Sequence, residues 1–111
     1  MKVAVVIYSN DAETVWNAYR FANTCRVYED EVTIFLMGKG VEAASIQSLK
    51  FNIEEQIQLF EEQNGTVIGC GVCCETRKDI MPGLKDDLQC TLGSMQDFYI
   101  LIKESDKVIT F

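Results

Sequence analysis

Residues 70–74 read CGVCC and place three of the chain's five cysteines within five positions, directly after the apolar run TVIG. Cysteines spaced C-x-x-C can ligate a metal, cycle between dithiol and disulfide, or present a thiolate that takes up sulfur. They can also be small core hydrophobes, because free cysteine is among the most buried residue types. A zinc centre needs four ligands. Cys70, Cys73, Cys74 and Cys90 supply the number, but a second C-x-x-C pair is missing and the chain has no histidine. The same lack of histidine removes any Cys–His nucleophile pair and the usual neutral-pH acid–base group. Against a thioredoxin-like dithiol, the motif follows the third strand, its central pair is Gly-Val, and Pro82 is the only proline. A further reading is persulfide carriage. A low-pKa cysteine accepts sulfane sulfur, and a neighbouring thiol releases it by exchange.

Composition narrows the setting. A chain of 111 residues with 48% hydrophobic content fits one globular domain over residues 1–111. No stretch approaches ~18 consecutive apolar residues, so no membrane span is expected. The opening MKVAVVIYSN reads as a strand rather than a signal peptide, which predicts a cytoplasmic protein. That compartment keeps thiols reduced, and an odd cysteine count leaves at least one thiol unpaired. The formal net charge is −7 with Lys and Arg scattered, which excludes a basic patch and argues against a nucleic-acid partner. No dinucleotide fingerprint G-x-G-x-x-G is present, and the reading assigns neither a cofactor nor a metal.

The elements that must position the cysteines follow from the hydrophobic pattern. KVAVVIY (2–8), EVTIFLM (31–37) and TVIG (66–69) are β-rich, nearly continuous apolar runs that suit strands covered on both faces. A short fourth strand is expected around residues 88–90 and a closing strand at KVITF (107–111). Asn10 or Asp11 caps a helix that buries Val15, Ala18, Tyr19, Ala22 and Cys25 on one face. VEAASIQ suggests a short helical piece. Asn52 caps IEEQIQLFEEQ, which turns Ile53, Ile57 and Phe60 inward and stops at Asn64-Gly65. ETRKDIM reads as the start of a helix that ends near Pro82. Ser94 caps a last helix with Met95, Phe98, Tyr99 and Ile102 inward. Alternating strands and helices predict an α/β fold, a three-layer α/β/α sandwich around a mostly parallel five-stranded sheet.

In such sheets chemistry gathers outside the carboxyl ends of the strands, where loops 9–11, 38–40 and 70–74 fall. Cys90 would join them if the third and fourth strands are neighbours. Cys73 and Cys74 would sit in the first turn of a helix, whose N-terminus lowers a thiol pKa. Arg77 and Lys78 follow them at i+4 and add positive charge. Gly71 would let the backbone approach a bound group closely, and Gly38 and Gly40 could line a pocket for a small ligand.

ETVWNAYRFAN, DEVTIFLMGKGVEAA, FNIEEQIQLFEEQNGTVIGCGVC and CTLGSMQDFYILIKESDKVITF together resemble the small stand-alone members of the DsrE/DsrF-like sulfur-relay family. The specific signal is a strand ending in C-G-x-C, an Arg four residues after the second Cys, and a later Cys before S-M-x-D. The resemblance implies an α/β sandwich that assembles into homo-oligomers, often trimers or hexamers. It also implies transfer of sulfur as a cysteine persulfide between donor and acceptor proteins. It places the sulfur-accepting cysteine on Cys70 and its partner thiols on Cys73 and Cys90, whereas Cys25 and Cys74 match no family cysteine. The expected function is a sulfurtransferase-like carrier in which Arg77 and the backbone near Gly71 hold the anion. The alternatives are a thiol–disulfide redox protein and a non-catalytic oligomeric module that binds a small ligand.

Overall fold

A computed structural model describes residues 1–84 and 91–111. Cys90 and the strand expected at 88–90 lie outside the described residues. The order is β1 (Lys2–Ile7), α1 (Ala12–Val27), β2 (Glu31–Leu36), a 3₁₀ segment (Gly38–Ser45), α2 (Ile53–Glu62), β3 (Thr66–Cys70), α3 (Gly71–Glu75), β4 (Thr91–Gly93), α4 (Met95–Glu104) and β5 (Lys107–Thr110). The five strands form one sheet in the order β4-β3-β2-β1-β5, and every neighbouring pair is parallel.

Strand β1 lies inside the sheet between β2 and β5 and, after Lys2, is buried throughout, which is why it reads as an unbroken apolar run. Asp11, not Asn10, caps α1; its carboxylate accepts the Thr14 N–H and hydroxyl. The face of α1 formed by Val15, Ala18, Tyr19, Ala22 and Cys25 is buried as expected. Asn52 caps α2 by accepting the Glu55 N–H, and Asn64 leaves that helix with φ of 61°. Asparagine tolerates this left-handed turn better than other side-chain-bearing residues. Ser94 and Asp97 cap α4 reciprocally.

Chain connectivity sets the layers. The steps from β1 to β2 to β3 run in one direction, and right-handed crossovers put α1 and α2 on the same face. There Tyr19 meets Phe60 edge-on at 6.0 Å. The return from β4 to β5 sends α4 to the opposite face, where Phe98 packs on Phe35 at 4.7 Å. This helix buries no residue fully. Phe98 and Leu101 pack against the core, while Met95, Tyr99 and Ile102, expected inward, are exposed. The stretch is apolar all round, so its periodicity could not single out the stripe that faces the sheet.

The expectation of a helix through ETRKDIM is also corrected. The helix starts earlier, at Gly71, and ends at Glu75. Turns follow, in which Arg77 N–H reaches the Cys74 carbonyl and Met81 N–H reaches the Arg77 carbonyl.

Two contacts fix the carboxyl end of the sheet. Gly40 is buried, and a Cβ on it would lie 1.9 Å from the Ile7 carbonyl oxygen, so the 3₁₀ segment rests directly on the end of β1. Farther along that segment, Glu42 accepts Arg77 Nε at 2.7 Å and Asn10 Nδ2 at 3.4 Å. Arg77 Nη1 donates to the Cys73 carbonyl at 3.0 Å. The Glu42 carboxylate, which accepts from Asn10 and Arg77, thus ties the loops after β1, β2 and β3 together.

Gly40→Ala is expected to lower stability by about 3 kcal/mol, because backbone must move to admit the methyl group. The same change at Gly71, where an added Cβ comes no closer than 3.7 Å to its neighbours, should be neutral or stabilising by up to about 1 kcal/mol. Urea unfolding of both variants checks the contrast, and equal losses would refute the packing role of Gly40.

The Arg77 hydrogen bond, assisted by Asn10, holds the Glu42 carboxyl below its ordinary value of 4.5. A carboxylate with a depressed folded pKa stabilises above the unfolded value, and that contribution is lost as pH falls through the folded one. Glu42→Gln should therefore cost about 1–2 kcal/mol at neutral pH. The gap to wild type should close progressively below pH 4.5. Urea titrations across that range test this, and a gap that stays constant into strong acid would contradict it.

Candidate functional site

Strand β3 delivers Cys70 as its last residue, and the chain turns at once into the single turn of α3. Cys70 is the N-cap of that turn, and its sulfur accepts the Cys73 N–H at 3.3 Å. The thiol is 5% exposed. The expected low pKa is not found: burial pushes the Cys70 thiol up, and a hydrogen bond with the Cys73 side chain pushes it further. The Cys73 N–H acts in the opposite direction without reversing the shift. A helix of five residues also sums too few peptide dipoles to offset desolvation.

Cys73 is half-buried, and its sulfur accepts the Gly38 N–H at 3.2 Å. Gly38 takes φ of +56°, and the ring of Tyr8 lies over it so closely that a Cβ there would stand 2.8 Å from Cζ. Tyr8 itself is 57% exposed. Residues from the ends of three adjacent strands therefore meet: Tyr8 after β1, Gly38 after β2, and Cys70 with Cys73 after β3. Sequence reasoning passed over Tyr8 and Glu42. Tyr8 could have been found, since it immediately follows β1 at the carboxyl end of the sheet. Glu42 could not, because its pairing with Arg77 depends on how two loops approach each other.

Arg77 directs its guanidinium to Glu42, the Cys73 carbonyl and the Thr76 hydroxyl, so it positions the cysteine turn instead of facing the thiols. Lys78 pairs with Glu75 at 3.0 Å, away from the role expected beside Cys74. Gly71 has no left-handed φ and makes only ordinary contacts, so it provides no special approach for a ligand. Gly40 is sealed against β1 and cannot line a pocket. Gly38 does reach the site, through its N–H. Cys74 is buried in the core, and Cys25 is buried on α1, where desolvation raises its thiol pKa. Strands β3 and β4 are neighbours, but β4 begins at Thr91, after Cys90 instead of ending with it, and the residue opposite Cys70 is Gly93. Among the described residues, no three His, Cys, Asp or Glu side chains converge as metal ligands.

Similarity to known proteins covers the full chain. Residues 1–111 match the DsrE/DsrF-like family. The uncharacterized protein MJ0989 of Methanocaldococcus jannaschii is 32% identical over 120 residues, covering 100% of this chain and 100% of the relative. The uncharacterized protein MK0008 of Methanopyrus kandleri is 33% identical over 106 residues, 89% of this chain and 83% of that one. The crystal structure of the ychN protein from E. coli superposes with a TM-score of 0.75 at 26% identity, covering 100% of both chains. A conserved protein of unknown function, BT1422 from Bacteroides thetaiotaomicron, shares the fold with a TM-score of 0.72 at 16% identity, covering 99% of this chain and 94% of that one. With a family match over its whole length and relatives at this level of identity, the chain belongs to the DsrE/DsrF-like family.

Proposed function

We propose that this protein is a sulfur-relay carrier that holds sulfur as a cysteine persulfide on the Cys70–Cys73 pair. The family is associated with sulfur relay. The observation that carries the reading is the pairing itself: two cysteines one helical turn apart at a strand end, each sulfur accepting a backbone N–H. An amide donor stabilises a sulfur anion without adding a competing nucleophile. Cys90 belongs to the same proposal as a third thiol.

Incubation with a low-molecular-weight persulfide donor, followed by intact mass measurement, tests the reading. The wild-type chain should gain ~32 Da, the mass of one sulfur atom, reversibly with dithiothreitol. A chain with both Cys70→Ser and Cys73→Ser should gain less than about a tenth as much. An unmodified wild type, or an equal gain in the double variant, would end the carrier proposal.

The reading includes assembly into a homo-oligomer, a trimer or hexamer. Its support is the outer face of α4, where Met95, Tyr99, Ile100 and Ile102 are exposed, together with Leu92 and Val108. Exposed apolar side chains grouped on one helix mark an association surface. Light scattering should give a multiple of the 12.6 kDa chain mass. Tyr99→Glu combined with Ile102→Glu should lower it to the monomer, and a monomeric wild type at about 100 μM would refute assembly.

A further inference from the structure

We infer that the two thiols have fixed and unequal tasks: Cys73 takes up the sulfur, and Cys70 lies behind it as the thiol that expels it. This rests on the carrier reading and reverses the order implied by the resemblance, which made Cys70 the acceptor.

The first argument is room. A persulfide adds an atom about 2 Å beyond the cysteine sulfur. Cys70 is 5% exposed, in a close-packed position beneath the turn of α3. A second sulfur there would displace its neighbours, and a donor could not reach it without opening that turn. Cys73 is half-buried and borders Gly38, over which the exposed ring of Tyr8 lies, at the carboxyl end of the sheet. Of the two thiols, Cys73 is the one with surface left for a donor to reach.

The second argument is hydrogen bonding. The Gly38 N–H on Cys73 comes from a different loop and is held by a backbone conformation that glycine adopts without strain. Its position is therefore set independently of the turn of α3. The N–H on Cys70 comes from Cys73 itself, so it depends on the turn staying closed. Titration agrees in direction, since burial raises Cys70 and a charge on Cys73 raises it further.

The steps balance. The Cys73 thiolate attacks the outer sulfur of a persulfide donor, R–S–SH. The donor's S–S bond breaks and R–S⁻ leaves, taking up the proton that Cys73 lost. Sulfane sulfur changes carrier with no net oxidation. A thiolate of an acceptor protein can then attack the outer sulfur and restore Cys73. Without an acceptor, Cys70 attacks the inner sulfur of the Cys73 persulfide. A Cys70–Cys73 disulfide forms and hydrosulfide leaves, so the sulfane sulfur is reduced while two thiols are oxidised. An external thiol reductant then resets the pair.

Three measurements on the full-length chain test this order. Under native conditions, iodoacetamide should label Cys73 at least about tenfold faster than Cys70, with the sites assigned by peptide fragmentation. After exposure to glutathione persulfide and removal of the excess, Cys70→Ser should retain the added sulfur on Cys73. Wild type should gain the same sulfur at first, then release it as sulfide on longer incubation and end about 2 Da lighter than the reduced chain, the mass change of a disulfide. Cys73→Ser should take up less than about a tenth of the wild-type sulfur. If wild type carries the added sulfur on Cys70, or Cys70 is alkylated first, the assignment is wrong while the carrier reading stands. If wild type takes up no sulfur, both fall. The alkylation order needs no variant, so it decides the assignment even if Cys73→Ser fails to fold.

Discussion

Gly40 lies against the Ile7 carbonyl at a distance where no side chain fits, and the loops around the cysteine pair depend on that approach. Because the 3₁₀ segment sits directly on the backbone of β1, Gly38 is brought over the end of β2 with its N–H toward Cys73. Three residues farther on than Gly40, the segment enters the core through Ala43, and Glu42 between them faces Arg77. Had the segment stood off by the width of a methyl group, neither the amide nor the carboxylate would reach. One backbone contact on β1 therefore places both the hydrogen bond at the sulfur and the ion pair that braces the cysteine turn.

The electrostatics of the site differ from what the residue types suggest. An arginine and a lysine four residues beyond two cysteines look like thiolate activators, but each is held by a carboxylate, Glu42 and Glu75 respectively. In a chain with net charge −7, cations near the surface readily find acidic partners. Sulfur is met instead by backbone N–H groups. This arrangement tolerates sulfur in several protonation states, because an amide donor binds a thiolate or a persulfide anion and accommodates a neutral thiol. A fixed guanidinium against the thiols would favour the anion and slow release. The burial of Cys70 acts in the same sense, keeping that thiol protonated until something nearby changes.

The scaffold was readable in the sequence because its signals are local. The apolar runs of β1, β2 and β3, the buried stripe of α1, and the caps at Asn52 and Ser94 each follow from neighbouring residues and appear where expected. The errors arise where a distant contact decides. Asn10 had the spacing of a cap, but it turns to Glu42 and leaves capping to Asp11. Arg77 was placed by i+4 geometry, which lapses because the helix ends at Glu75. Met95, Tyr99 and Ile102 were read as core because apolar residues at helical spacing do not say whether a sheet or another surface covers them. The motif itself was legible as a group of thiols. Its internal order was not, since exposure and the Gly38 amide come from another part of the chain.

That internal order has a geometric origin. In C-x-x-C at the end of a parallel strand, the first cysteine still belongs to the sheet and the second already belongs to the helix. The strand residue lies beneath the turn it caps, so it is buried by the chain that follows it. The helical residue projects toward the neighbouring loop, here at Gly38. Two identical side chains three positions apart therefore differ in access and in hydrogen-bond donor. A pair of equivalent thiols would close on each other or compete for the same sulfur. A pair made unequal by the strand-to-helix junction can hold sulfur on one member while the other stays protonated behind it, and the backbone imposes that inequality without any further catalytic side chain.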